Sequence, residues 1–332
     1  MQKTVSAYFK IILRIIITVL LLGVVLYKID FAQFKTIFSR TNWWLVFACW
    51  AATLVAFWFR AIKMRWILKK QNCDVKTSTL TAVSAVASFY SLIMPEPLSS
   101  GVKWYILKKN TGKGTNVLSS MMYNQFTEII VMMIIGFIGL LIISLNKNTI
   151  VCVVSVSGIA LLTGGTSLLF RPAILLKIVS MFSGLKKIVP QRFLKKTEEI
   201  FSQIKEFQIA GWRFHLDIAL ITVVAGVASV VVFVLAGKAV GINVPVGLFA
   251  WQCILIYLLG RLPISLANLG VREFTLIEML AKYNVPSSQA LMMSMAIFSS
   301  IIFMAVIGGI CQLWWIFRTH VLIKSTDIDK ST

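Results

Sequence analysis

A chain of 332 residues with 58% apolar and 14% charged positions is not an ordinary soluble domain, where those shares run nearer roughly 45–50% and about 25%. Its net charge of +21 would suggest nucleic acid in a soluble protein. Here the cations lie in loops between apolar stretches, which argues for an anionic membrane face as partner and against nucleic acid.

The first apolar run, Ile11 to Leu26, has the length of a signal sequence. The following Tyr27-Lys-Ile-Asp-Phe is a poor cleavage site, so a retained helix over 9–27 is expected. A second span follows at 43–62. Region 78–107 is awkward: it is short, rich in Ser, Thr and Ala, and stopped by Pro95 and Pro97 before a second apolar piece from Val102 to Leu107. Spans of the roughly 20 residues a bilayer requires recur at 117–145 and 149–170. In the basic stretch 174–212, Phe193, Ile200, Ile204 and Phe207 share one helical face, which predicts an amphipathic helix on an anionic leaflet. After a span at 216–238, region 245–283 breaks around Leu262-Pro263 and resumes after Gly270. The last span is 287–317.

Loop charge sets the threading. With the N-terminus cytoplasmic and each awkward region returning to its own side, most of the 33 Lys and Arg fall inside, including the dense 171–213 loop. If 78–107 crossed once instead, that loop would be exported, against the positive-inside bias. Re-entrant backbone is allowed only where protein or a water-filled cavity satisfies its polar groups, so a cavity is expected.

The same threading turns the second half upside down relative to the first. Met94-Pro-Glu-Pro-Leu-Ser-Ser-Gly-Val-Lys103 and Leu262-Pro-Ile-Ser-Leu-Ala-Asn-Leu-Gly-Val-Arg272 each carry a Pro, a polar stretch, then Gly-Val and a cation. Matching interruptions in inverted halves point to a midplane binding site. The expected fold is therefore all-α integral membrane: about six spanning helices plus two re-entrant hairpins in an inverted repeat, eight membrane segments in all. It forms a single membrane domain over 1–332. An N-terminal helix (1–40) precedes a first repeat (41–145), a linking helix with the amphipathic segment (146–214), a second repeat (215–317) and a cytoplasmic tail (318–332).

The residues expected to contact substrate cluster at the breaks. Ser99 or Ser100 can cap one helix restart and Asn268 the other, before Gly270. With Lys103 near the first, and Arg261 and Arg272 near the second, two anion-receptive helix ends face the membrane middle, where phosphate or carboxylate is the natural guest. Glu273 either neutralises part of that charge or forms a local ion pair with Arg272. Lys103 has the alternative of snorkelling to the interface. Glu128, with Asn124, Gln125 and Thr127 around it, costs a few kcal/mol on a spanning helix. Either it pairs with Arg60 or Lys103, or it handles a proton or a headgroup. Glu96 either contacts a substrate amine or faces the cytoplasmic cavity. Glu278 and Lys282, one turn apart, read as a surface pair. Cys49, Cys73, Cys152, Cys253 and Cys311 form no metal-ligand or disulfide pattern, so no metal, cofactor or catalytic residue is expected.

Leu262-Pro-Ile-Ser-Leu-Ala-Asn-Leu-Gly-Val-Arg-Glu273, Ser91-Leu-Ile-Met-Pro…Gly-Val-Lys103 and Phe59-Arg-Ala-Ile-Lys-Met-Arg-Trp66 together resemble the flippase-like family that includes the transmembrane region of lysylphosphatidylglycerol synthase. Asn268 stands where the family usually has the first Gly of its Gly-x-Gly-x-Arg-Glu signature, and Lys103 where it usually has an Arg. The resemblance covers nearly the whole chain. It implies eight helical membrane segments and movement of a lipid or glycolipid headgroup between leaflets. The full-length synthases carry a soluble aminoacyl-transferase domain; this chain ends at Thr332, so synthase activity is not implied.

The expected function is therefore translocation of an anionic or polyisoprenyl-phosphate lipid across a prokaryotic cytoplasmic membrane, with both termini inside. One repeat would rock against the other around a midplane phosphate site. The alternative is a non-transporting membrane subunit that holds a lipid or polysaccharide synthase, with cell-envelope enzymes as partners. A membrane-embedded transferase would have only Glu96, Glu128 and Glu273 as acids. The chain is not expected to be an enzyme.

Overall fold

The computed structural model describes residues 31–94, 96–145, 149–169, 206–207, 210–262 and 265–329, which are helical throughout apart from turns and connections. The helices are α1 (Phe31–Arg40), α2 (Trp43–Lys70), α3 (Thr77–Ser91), α4 (Glu96–Thr111), α5 (Gly114–Ser144), α6 (Thr149–Leu169), α7 (Trp212–Ala239), α8 (Val246–Arg261), α9 (Val271–Ala281) and α10 (Ser287–Asp329). A short 3-10 turn, Leu266–Asn268, precedes α9. By length and composition α2, α5, α7 and the Ser287–Phe317 part of α10 can each cross a membrane, while α6 and α8 carry shorter apolar runs. The expected helix 9–27 lies outside the described residues.

Sequence determines where these helices begin and stop. Asn42 caps α2 by accepting from the Trp44 N–H (3.1 Å), and Lys69 and Lys70 complement the dipole at its far end. The apolar run ends near Ile62, yet the helix continues to Lys70 because Met64, Ile67 and Leu68 still face the core. Pro97 is tolerated in the first turn of α4, where its missing N–H has no helical partner.

Helices α2 and α7 run antiparallel along their length. The Asn42 N–H donates to the Ala239 carbonyl (2.8 Å), and further along the Cys49 thiol meets the Val232 carbonyl (3.6 Å). Helices α3 and α4 leave the end of α2 and come back to it: Asn116 Nδ2, at the start of α5, donates to Gln71 Oε1 (3.1 Å), and Lys113 Nζ to the Asn72 carbonyl (3.2 Å). In the same way α8 and α9 leave the end of α7, and Gln289 at the start of α10 donates back to the Val240 carbonyl (3.4 Å). Several landmarks recur at a spacing of 169 residues: Arg60 and Ser229, hydrogen-bonded across α2 and α7, and likewise Trp43 and Trp212, Thr77 and Val246, Lys103 and Arg272, and Gly139 and Gly308; α5 and α10 begin slightly farther apart, at Gly114 and Ser287.

The two sets of helices are interleaved. Helix α3 packs mainly on α10, and α8 mainly on α5. Both contacts bring backbone against backbone: Gly308 lies on the Ala85 carbonyl, and Gly139 on Gly247. Helix α6 packs principally on α5, where Gly158 receives the Phe137 ring. Of the amphipathic stretch, Phe207 is described. It is buried and stacked on Tyr123 with ring centroids 4.5 Å apart; Phe193, Ile200 and Ile204 lie outside the described residues. Cys73, in the connection between α2 and α3, is buried in the α2–α5 core, and burial pushes its thiol pKa up.

Candidate functional site

A cavity of about 380 Å³ opens between the two helix breaks. Helices α2, α3, α4, α5 and α8 and the turn before α9 wall it, with Ile301 of α10. The second break holds its shape through left-handed backbone at Ala267 (φ 49°), Asn268 (φ 58°) and Gly270 (φ 81°). Asparagine and glycine accept that region readily, whereas alanine is strained by roughly 1–2 kcal/mol. Asn268 Nδ2 donates to the Ile256 carbonyl (3.3 Å), tying the turn back onto α8.

Four charged side chains line the cavity: Arg60, Lys103, Glu128 and Arg261. Arg60 Nε donates to Glu128 Oε1 (2.8 Å), and Arg60 Nη2 to Ser229 Oγ (3.0 Å). Lys103 Nζ donates to Ser84 Oγ (3.0 Å). Arg261 donates to the Tyr257 hydroxyl (3.0 Å) and lies over that ring, 4.6 Å from its centroid. Gln125 Nε2 also donates to the Tyr257 hydroxyl (3.2 Å). Behind the wall, buried Lys63 donates to the Asn124 carbonyl (3.0 Å). Arg60 and Arg261 are both close enough to Lys103 for their charges to repel. Glu128 neutralises one cation, so the lining keeps net positive charge. In a medium poorer in water than the cytosol, such a surplus favours an anion strongly.

The structure thus brings Lys103, Glu128, Arg261 and Asn268 together. Glu96 opens α4 through its backbone, and its side chain is outside the description. Gly270, Arg272 and Glu273 lie outside the lining and form the joint between α9 and α10. The Gly270 N–H donates to Glu273 Oε2 (2.6 Å), so the Glu273 carboxylate reaches back to cap the start of α9. Arg272 is buried, paired with Glu273, bonded through Nε to Ser294 Oγ (2.7 Å), and stacked over Phe298 at 4.7 Å. Between the two sequence alternatives for Arg272 and Glu273, the local ion pair is the one formed. For Glu128, the partner is Arg60.

Lys63, Tyr257 and Ser84 escaped the sequence reading. Arg60 and Lys63 lie at and beyond the end of the apolar run, which stops before α2 does. The available signal was their spacing of one helical turn, with Phe57 and Met64 on the same side. The chain matches the family described as Lysylphosphatidylglycerol synthase TM region over residues 11–309, and belongs to it as a multi-pass membrane protein. Comparison with curated proteins and with solved structures found no match.

Proposed function

We propose that this member of the family translocates a phosphate-bearing lipid headgroup, bare or carrying a saccharide, between the leaflets of a prokaryotic cytoplasmic membrane. The carrying observation is the cavity between the helix breaks, where Arg60, Lys103 and Arg261 face the single carboxylate of Glu128. The headgroup's phosphate would take the surplus positive charge while its chains stay in the bilayer. The step is physical transfer, with no covalent bond made or broken.

We read the chain as an inverted repeat of α2–α5 and α7–α10, with α3–α4 and α8–α9 as re-entrant hairpins. The 169-residue spacing shared by several landmarks and the return of each hairpin to its own end of the bundle support this reading. Because α3 is packed on α10 and α8 on α5, the moving bodies would be these cross-packed pairs, and not one sequence half rocking against the other.

Purified protein in vesicles carrying a fluorescent phosphatidylglycerol, with an impermeant quencher added outside, tests the function. Quenching should proceed beyond the outer-leaflet share. Arg261→Gln should slow it about tenfold or more, and Arg261→Lys should restore only part, since a point charge lacks the guanidinium's fork. No transfer by folded protein would leave the scaffold reading, a membrane subunit holding a lipid or envelope synthase.

Orientation is tested separately. Lys113 is exposed at the start of α5. In a variant stripped of native cysteines, Lys113→Cys should resist an impermeant thiol reagent outside intact cells and react in inverted vesicles. Labelling from outside would overturn the re-entrant threading of α3–α4.

A further inference from the structure

Ten residues between the first two expected spans fold into α1, which the apolar pattern did not announce. Its Phe34 and Ile37 pack on the main core. On its flank Phe38 meets Trp43 edge-on at 5.1 Å, and Phe38, Trp43 and Trp44 are all exposed, with Trp44 at 83%. An amphipathic helix next to exposed tryptophans marks the water–lipid boundary. This boundary is at the end of the bundle where α2 begins and α7 stops, opposite the lysine-rich end at Lys69, Lys70 and Lys113.

A second cavity of about 380 Å³ sits there, between the polar side of α1, the turn at Val240–Gly241, and Pro286 and Gln289 at the start of α10. It shares no lining residue with the central cavity. Its volume is within the range of roughly 300–1,000 Å³ usual for small-molecule sites. Its walls are fixed in place: Ser288 Oγ donates to Gln33 Oε1 (2.9 Å), and Gln289 Nε2 holds the Val240 carbonyl. Arg40 is the one charged residue among its described lining, and it makes no ion pair or hydrogen bond with the described residues. Lys35 and Lys238 are exposed on the two elements beside it.

We infer that this cavity is a binding site for the phosphate of an anionic glycerophospholipid in the leaflet opposite the lysine-rich end, with Arg40 as its principal ligand. An exposed guanidinium at the edge of a preformed, mostly apolar hollow suits the phosphodiester of a lipid, which it can grip with two parallel hydrogen bonds while the apolar wall meets the lipid's carbon atoms. The adjoining belt of Phe38, Trp43 and Trp44 supplies the depth at which a lipid presents that group with its chains alongside the helices. A soluble anion would gain nothing from that belt. The site stands independently of the central cavity and of the proposed translocation.

The test uses the full chain in vesicles containing a phosphatidylglycerol that carries a photoactivatable group near its head, with cross-linked peptides mapped by mass spectrometry. Cross-links should appear on α1 and on the first turn of α10. Arg40→Gln should reduce them about tenfold, the loss expected for one charge-assisted contact, and Arg40→Lys should fall between. Thr36→Trp, which fills the same hollow from an exposed helix position, should reduce them as well. Arg261→Gln should leave them unchanged. Undiminished cross-linking in both Arg40→Gln and Thr36→Trp would overturn the site. Equal labelling by a phosphatidylcholine analogue would overturn its selectivity for anionic lipid, and full competition by inorganic phosphate would make it a site for a soluble anion.

Discussion

Glu128→Gln should lower the melting temperature of the purified protein and abolish headgroup transfer, although the side chain keeps its shape. Glu128 is 7% exposed, bonded to Arg60 at 2.8 Å, and also within the field of Lys63 and Arg261. Without its charge, a cluster of cations is left facing itself. Removing one member of a buried pair costs about 3–5 kcal/mol. The Arg60 side chain is 29% exposed, which places the expected loss at or below the lower end, about 2–3 kcal/mol. Arg60→Gln should cost a similar amount. The double variant Arg60→Gln/Glu128→Gln should recover part of the stability and none of the transport, because the cations left behind no longer have a carboxylate to set their spacing. Single variants that melt like the wild type would mean the pair contributes nothing to the fold.

Gly308→Ala should be the most disruptive single methyl that can be added to the bundle, and Gly309→Ala nearly silent. A Cβ at Gly308 would fall on the Ala85 carbonyl, which is backbone and cannot turn aside; at Gly309 it would meet the Phe89 ring at an ordinary 3.5 Å. Overpacking a tight contact costs about 1–3 kcal/mol, and more when helix axes must separate. Gly308→Ala should therefore reduce the yield of folded protein and its melting temperature, by several degrees at least, while Gly309→Ala tracks the wild type. Equal behaviour of the two in thermal melting would show that α3 and α10 have room to adjust.

The apolar pattern located most of the fold. Spans expected at 43–62, 117–145, 216–238 and 287–317 appear as α2, α5, α7 and α10, and the two awkward regions as pairs of shorter helices around Pro95 and Pro263. What it misplaced has a common cause. Hydropathy sees average character over a window, whereas burial is decided side chain by side chain. Lys63 is buried in a helix whose last turns read as a basic loop, and Arg40 lines a cavity on a helix too short to register. Arg272 shows the complementary difficulty. Its motif gave the position, but only the fold brings Ser294 and Phe298, far along the chain, to enclose it. The side chains that line the central cavity from α2 and α3, Arg60 and Ser84 among them, are likewise assembled from separate helices that no local pattern joins.

The packing of α3 against α10 has a consequence for how the chain is made. Helix α3 meets the backbone of Gly308, more than two hundred residues downstream, at Ala85. It leaves the ribosome, rich in serine and threonine, long before its partner has been synthesised. Until α10 arrives, the side of α3 that will receive Gly308 must be held by lipid, by an earlier helix or by an insertion chaperone. Contacts so distant in sequence form slowly and late, and the interval before they close is when a membrane chain is exposed to quality-control proteases. Truncations that remove α10 should therefore strike the α3–α4 hairpin, built far upstream, as hard as the region they delete.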